Sequence, residues 1–162
     1  MEKKFELTDK FVFNTFGIKL FQIKCTKSFK YAKEGDLGGY VEKDENLDQE
    51  SDAWVSGNAQ VSGDARVSGD AWVSGNAQVS GNADIENDNN HCGFDCFGSC
   101  NRHTHAYLTK DNKVEITCGC FRGSIEEFEK KVEKTHSGTI YEKQYKAIIN
   151  VIKIKFGLTD LI

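Results

Sequence analysis

The stretch AWVSGNAQVSGDARVSGDAWVSGNAQVSGNADIEND, residues 53–88, repeats a six-residue unit, Ala-x-Val-Ser-Gly-Asn/Asp, almost without error. Within each unit, alanine and valine stand two positions apart, so both side chains point to one face of a short strand. The Ser-Gly-Asn/Asp that follows predicts a corner, because glycine and asparagine tolerate positive φ angles. A short strand and a corner in every unit predict a chain that coils into a three-sided prism.

The sequence also indicates that one coil takes 18 residues, because residues 53–70 align almost letter for letter with residues 71–88. Stacked strands lie about 4.8 Å apart, so side chains at this offset should touch. Three chemically distinct outward ladders are predicted: an aromatic ladder, an amide ladder and an Arg–Asp pair. They consist of Trp54 and Trp72, Gln60 and Gln78, and Arg66 and Asp84.

The repeat extends backwards as a degenerate first coil, which gives a repeat region of two to three coils over residues 35–88. Val41 and Leu47 fall in the column of the repeated alanines, and Leu37 falls in the column of the valines. So short a stack exposes strand edges at both ends, and these edges need covers. Residues 1–34 are predicted to form an N-terminal β cap with a loop at Asn14–Gly17, and residues 89–101 a linker loop.

Residues 102–162 predict a C-terminal α+β domain that begins with a hairpin turning at Asp111-Asn112. A two-residue turn would place His103 opposite Cys120 and His105 opposite Cys118, all on one side of the hairpin. Directly opposed Cβ atoms lie about 5 Å apart. The pattern therefore predicts a candidate zinc site formed by His103, His105, Cys118 and Cys120. A change of one residue in the turn would destroy this alignment.

The alternative for these cysteines is that they are small buried residues, with the histidines as ordinary core or surface groups. Two helices should follow the hairpin. Ser124 with Glu127 and Thr139 with Glu142 are capping boxes that precede helical patterns of apolar residues. The fold class is therefore mainly β, with a short β-helix, an N-terminal β cap, and a C-terminal hairpin carrying two helices.

Composition limits the classes of function. The 162 residues carry a net charge of −4, so there is no electrostatic case for binding nucleic acid. The sequence contains neither a long apolar run nor a signal-peptide pattern, so we expect a cytoplasmic protein without a membrane partner. In that compartment the six cysteines are expected to be thiols or metal ligands and not disulfides.

Three segments together resemble one family: GDLGGYVEKDENL (35–47), the AWVSGNA repeats, and CGCFRGSIEEFEKKVEKTH (118–136) followed by Tyr145. They resemble hexapeptide-repeat proteins, left-handed parallel β-helices encoded by bacteriophages and prophages. The resemblance implies a left-handed coil, a homotrimer formed through flat faces and no assigned enzymatic activity. The run HCGFDCFGSCNRHTH (91–105) departs from the family pattern, apart from Gly98 and Ser99.

The expected function is that of a non-enzymatic interaction protein without a cofactor, which binds and inhibits a protein of the host bacterial cell, such as a component of anti-phage defence. Its predicted interaction face consists of the three ladders, and the two tryptophans could instead pack under the N-terminal strands. Two alternatives remain. In a trimer, clefts lined by tryptophan and Arg66 could sequester a nucleotide signal, or the protein could be an acyltransferase. The latter needs a histidine base, and the repeat contains no histidine.

Overall fold

The computed structural model describes residues 2–158, and this part of the chain is mainly β with two helices. The strands are β1 (Phe5–Phe13), β2 (Lys19–Cys25), β3 (Leu37–Val41), β4 (Trp54–Val55), β5 (Gln60–Val61), β6 (Arg66–Val67), β7 (Trp72–Val73), β8 (Gln78–Val79), β9 (Asp84–Ile85), β10 (His91–Phe97), β11 (Arg102–Leu108), β12 (Val114–Cys118) and β13 (Phe121–Ser124). The helices are α1 (Ile125–His136) and α2 (Ile140–Lys155), and 3₁₀ turns lie at Asp44–Asn46 and Asp88–Asn90.

The repeat region stacks as the 18-residue period predicts. Parallel pairs join β4 to β7, β5 to β8 and β6 to β9, and each residue lies beside the residue 18 positions later. The corner glycines of the repeat have φ angles of 61–64°, as a left-handed corner requires. The repeated alanine and valine side chains are buried together in one apolar core. The predicted coil length is therefore confirmed.

The first coil has a different register from the one predicted. Val41 pairs with Val61, and Leu47 forms a bridge with Val67, so both belong to the valine column and not to the alanine column. Leu37 is exposed and does not enter the core. The corner between Leu47 and Val55 is two residues longer than the corners of the repeat. This longer corner moves the whole degenerate coil by one inward position.

The N-terminal segment lengthens one side of the prism. β1 and β2 form the predicted antiparallel hairpin, whose loop contains Gly17 at a φ of 78°. β2 pairs with β3, which in turn pairs with β5 of the repeat region. The result is one sheet in the order β1-β2-β3-β5-β8. The predicted N-terminal β cap thus continues a side of the coil through ordinary strand pairing.

Two polar side chains fasten the start of this hairpin to the long corner of the first coil. The ammonium of Lys4 is buried and donates hydrogen bonds to the carbonyl oxygens of Ser51 and Ala53, at 2.7 and 2.6 Å. The amide group of Gln49 accepts from the backbone N–H of Phe5 and donates to its carbonyl oxygen, as a neighbouring strand would. The extra residues of this corner therefore serve as an anchor for β1.

Burial lowers the pKa of Lys4 to about 8 from an ordinary value of 10.5, against the opposing influence of Asp48 and Asp52. Between these two pH values the unfolded chain binds more protons than the folded chain. The free energy of unfolding should therefore rise with pH, by about 3 kcal/mol relative to a Lys4→Met variant. Denaturant unfolding of both proteins from pH 7 to pH 10.5 measures this difference. A difference that does not change with pH would contradict the prediction.

The C-terminal sheet covers the other end of the repeat region. Strands β10 to β13 pair antiparallel in sequence order. One face of this sheet buries Tyr107 in the core of the repeat region, and Thr117 Oγ1 on the same face donates to the carbonyl oxygen of Gln78 at 2.7 Å. The predicted linker loop at 89–101 was wrong in part, because residues 91–97 form β10 and pair with β11.

The opposite face of this sheet carries both helices. The hydroxyl groups of Ser124 and Thr139 accept hydrogen bonds from the backbone N–H groups of Glu127 and Glu142, which confirms both predicted N-caps. The two helices bury Ile125, Phe128, Val132, Tyr145, Ile148, Ile149 and Ile152 in a second apolar core. Neither helix within residues 2–158 has the length and hydropathy of a membrane-spanning segment.

Candidate functional site

The three predicted ladders are present, but the aromatic ladder is largely covered. Trp54 lies beside Trp72 in the parallel register. The ring of Phe29 packs edge-on against Trp54 at 5.3 Å, and Trp54 is only 2% exposed. Trp72 is 46% exposed and stacks on Tyr31 at 5.4 Å between ring centroids. The prediction that both indoles face a partner is corrected, because the N-terminal segment packs over the first of them.

The other two ladders also have local partners. Arg66 lies beside Asp84 in the strand register, but its guanidinium forms an ion pair with Asp48, at 3.3 Å. The predicted Arg66–Asp84 ion pair is thus replaced by a pair with the coil below. Gln60 and Gln78 are half-buried neighbours and line a narrow cleft with the loop of the N-terminal hairpin. Of the predicted face, Trp72 and Arg66 are the most exposed members.

The predicted zinc site does not assemble, because the β11–β12 hairpin has a different register. Thr104, and not His105, pairs with Cys118, and His105 pairs with Thr117. The turn has three residues, since the backbone N–H of Thr109 donates to the carbonyl oxygen of Lys113. Asn112 closes this turn at a φ of 58°, which is typical of three-residue hairpin loops. The one extra residue moves the histidines to the face opposite Cys118.

Neither cysteine of the predicted site joins both histidines in one cluster. Cys118 is buried on the helix-facing side, where its Sγ lies 3.7 Å from the Tyr145 hydroxyl and accepts from Thr104 Oγ1 at 3.3 Å. Cys120 is exposed in the turn before β13. Within residues 2–158, no group of three or more histidine, cysteine or acidic side chains has the arrangement of a metal site. The alternative of an ordinary buried thiol describes Cys118.

Three histidines instead form a continuous chain of polar contacts between two aspartates. Asp88 Oδ1 lies 3.1 Å from His91 Nε2, and His91 Nδ1 lies 3.0 Å from His105 Nε2. His105 Nδ1 then lies 2.9 Å from His103 Nε2, and His103 Nδ1 lies 2.6 Å from Asp95 Oδ1. We call these five residues the histidine chain. All six ring nitrogens have a partner in this chain, so none of the three imidazoles presents a free base.

The position of the histidine chain follows from strand alternation. His91 and Asp95 on β10, and His103 and His105 on β11, lie on the face that covers the repeat region, as does Tyr107. Gly93 pairs with His105 and leaves room for the rings. A Cβ added at Gly93 would lie 2.8 Å from both His103 Nε2 and His105 Nδ1. The glycine is therefore required by the close packing of the two imidazoles.

Burial makes the middle of the chain unfavourable for positive charge. Burial lowers the pKa of His105 well below its usual value, and the neighbouring His91 and His103 act in the same direction. Burial also lowers the pKa of His91, although Asp88 opposes this effect. Partial burial acts to raise the pKa of Asp88, but hydrogen bonds from the Trp72 amide and from His91 outweigh it, so this pKa is lowered. The central His105 ring is therefore neutral at neutral pH.

The sequence pattern points to only two of the five members of this chain. His103 and His105 belong to the predicted zinc site, whereas His91, Asp88 and Asp95 belong to no predicted site. The alternation His91-x-Gly93-x-Asp95 was available as a signal, because it places two polar groups on one face of a strand. It could have been used only if residues 91–97 had been recognised as a strand.

The N-terminal hairpin carries an exposed aromatic surface that the sequence analysis did not single out. Phe11, Phe13 and Phe16 are 46, 62 and 53% exposed. The rings of Phe11 and Phe13 meet edge-on at 5.7 Å, and the ammonium of Lys19 lies 4.1 Å from the centre of the Phe11 ring. We call Phe11, Phe13 and Lys19 the aromatic hairpin patch. Grouped exposed aromatic rings are typical of surfaces that contact other proteins.

Comparisons with known proteins agree with the coiled architecture. A family model described as YdcK Beta solenoid repeat matches residues 59–75. The match covers strands β5, β6 and β7 and lies wholly within the repeat region. A search of curated proteins finds no match for the chain. The chain thus contains a β-solenoid repeat within a mainly β fold that also has two helices.

Proposed function

We propose that this protein is a non-enzymatic interaction protein that binds another protein through the aromatic hairpin patch. The observation that carries the proposal is the exposure of the adjacent rings of Phe11 and Phe13 on β1. A large apolar side chain in water costs about 1.5–3 kcal/mol relative to burial. Two such rings in contact with each other are better explained by a partner than by the needs of the fold.

The chemistry of the patch indicates the kind of surface that it fits. Its centre is aromatic, and the ammonium of Lys19 lies over Phe11 and within 5.3 Å of the centre of the Phe21 ring. Lys10 is exposed in the same strand as Phe11 and Phe13. An apolar groove with acidic side chains on its rim complements both features. The proposed partner is therefore a protein with such a groove.

The resemblance to phage and prophage proteins makes the proposal more specific. On this proposal the protein acts in the cytoplasm of a host bacterial cell, where binding would inhibit a host factor such as a component of anti-phage defence. The left-handed sense of the coil and a homotrimer belong to the same proposal. Since Trp54 is covered, a face-to-face trimer would have to use one of the other two sides, such as the side that carries Arg66 and Asp48. The mass in solution, against 18.2 kDa for one chain, tests the trimer.

Two other functions rank lower for structural reasons. A nucleotide could stack on the exposed face of Trp72, with Lys30 near the Tyr31 ring for a phosphate. The carboxylate of Asp88 accepts a hydrogen bond from the backbone N–H of Trp72, and its negative charge disfavours an anion there. An acyltransferase would need a free histidine base, whereas the ring nitrogens of the histidine chain are all engaged.

The test compares three forms of the protein in capture from host cells, followed by calorimetry with the protein recovered. Replacing Phe11 and Phe13 together by serine should weaken binding at least tenfold, about 1.4 kcal/mol or more, because the centre of the patch is lost. Leu37→Ser is the matched control, since Leu37 is 58% exposed but lies outside the patch. Unchanged affinity in the double variant, or an equal loss in the control, would contradict the proposal. A co-purified nucleotide would favour the alternative.

A further inference from the structure

The histidine chain has an unusual property that follows from its four contacts alone. Each contact joins two atoms that can share one proton, and a contact without a proton sets two lone pairs against each other. Ionised Asp88 and Asp95 supply no proton, because a carboxylate only accepts. Neutral His91, His105 and His103 supply one proton each. Only three protons are therefore available for the four contacts, and one contact has none.

We propose that the histidine chain is a site that binds one additional proton and can pass it between its two ends. With that proton, all four contacts become hydrogen bonds and one of the three rings is an imidazolium. Without it, one contact of 2.6–3.1 Å is repulsive. The ligand of this site is thus a proton, and the two flanking carboxylates provide the negative charge that holds it.

The contacts also define where the positive charge can lie. If it lies on His103, that ring donates to Asp95 and to His105 Nδ1, and His105 donates from Nε2 to His91. If it lies on His91, the two inner protons have each moved across their contact, and His105 carries its proton on Nδ1. Charge transfer between the ends therefore requires only a change of tautomer at the buried His105. No proton has to leave the chain.

The two ends of the chain have different surroundings. Lys155 on α2 approaches the other end, where its ammonium donates to the carbonyl oxygen of Asp88 at 3.3 Å. Its positive charge acts against a cation on His91. His103 borders an open groove with Arg102, Cys100 and Cys120, so a proton can exchange with water from that side. The proposed resting state thus has the additional proton on His103, with His105 and His91 carrying their single protons on Nε2.

An Asp95→Asn substitution tests the proton count without removing a contact. The new amide can donate to His103 Nδ1, where the carboxylate could only accept. Four contacts are then satisfied by three neutral rings, and the additional proton is no longer needed. Asp95 is suited to this test, because it is exposed and His103 is the ring that it contacts. Asp9→Asn changes an exposed carboxylate elsewhere and serves as the matched control.

Nitrogen-15 spectra of histidine-labelled protein at about pH 7.5, one unit above the usual pKa of the side chain, report both charge and tautomer. In the wild type and in Asp9→Asn we expect His103 as an imidazolium and two neutral Nε2–H rings. In Asp95→Asn all three rings should be neutral, a loss of one proton per chain, and Asp95→Glu should regain it. With the resonances of His136 set aside, three neutral rings in the wild type, or an imidazolium among His91, His103 and His105 that persists in Asp95→Asn, would overturn the proposal. So would one equivalent of zinc that binds all three rings.

Discussion

Replacing Gly69 by alanine should lower the free energy of unfolding by about 3–4 kcal/mol, whereas the same change at Gly75 should cost only about 1 kcal/mol. Both glycines turn corners of the repeat region at a φ of 64°, so both variants have the same backbone strain. They differ in what lies above them. A Cβ at Gly69 would overlap the carbonyl oxygen of Glu86 in the next coil, whereas a Cβ at Gly75 would meet nothing within 4 Å.

Denaturant unfolding of the two variants measures this contrast, because the shared strain cancels in the comparison. Gly63→Ala provides an intermediate case, since a Cβ there would lie 3.1 Å from the backbone nitrogen of Gly81. The expected order of stability is Gly75→Ala, then Gly63→Ala, then Gly69→Ala. Equal losses in the three variants would mean that the coils are not stacked closely enough for a methyl group to distinguish them.

The coils could be predicted from the sequence because identical residues recur every 18 positions. Trp54 and Trp72, or Gln60 and Gln78, identify the register by themselves, and the buried valines follow from the same offset. The first coil has no such recurring residues. Any apolar residue near the right position fits either inward column, so the two additional residues between Leu47 and Val55 could not be detected. Register was thus predictable where identical side chains stack and not elsewhere.

The hairpin of the predicted zinc site shows how a local detail changes a whole site. Asp111-Asn112 is compatible with a two-residue turn, and also with a three-residue turn closed by Asn112 alone in the left-handed region. The pattern of apolar residues does not decide between them, because both faces of β11 and β12 are buried. A sheet that is covered on both sides lacks the polar–apolar alternation that specifies register.

The candidate sites were predictable only in part, because the exposure of a side chain depends on what packs over it. Strand alternation places Trp54 and Trp72 on one outward face, but it does not reveal that Phe29 covers the first of them. The same limit applies to Phe11 and Phe13, which read as ordinary strand residues. The histidine chain required β10 to be recognised as a strand, and Gly93 with its polar neighbours is typical of a loop.

Replacing Asn46 by aspartate should destabilise the fold by about 3–5 kcal/mol at pH 7, because a buried carboxylate would lose the donors that the amide provides. Asn46 is fully buried beneath the repeat region. Its Nδ2 donates to the carbonyl oxygens of Gly63 and Ala65, at 3.1 and 2.9 Å, and its Oδ1 accepts from the backbone N–H of Lys43. Aspartate keeps the oxygen that accepts from Lys43, but it replaces the donating Nδ2 by a second oxygen that lies against the carbonyl oxygens of Gly63 and Ala65.

The loss should shrink in acid, and Asn90 provides the control. Protonation would restore one donor at position 46, so the folded chain would hold this proton to a higher pH than the unfolded chain. Stability then falls as pH rises, and lowering the pH from 7 to 5 should recover up to about 2.5 kcal/mol.

Asn90 closes the equivalent 3₁₀ turn with its Oδ1 accepting from Glu86 and Asn87, but it is half-exposed. Asn90→Asp should change stability by no more than about 0.5 kcal/mol at either pH. Denaturant unfolding of both variants at pH 7 and pH 5 measures these changes. Equal losses of stability in Asn46→Asp and Asn90→Asp would contradict this account, because only the amide of Asn46 is buried beneath the first complete coil.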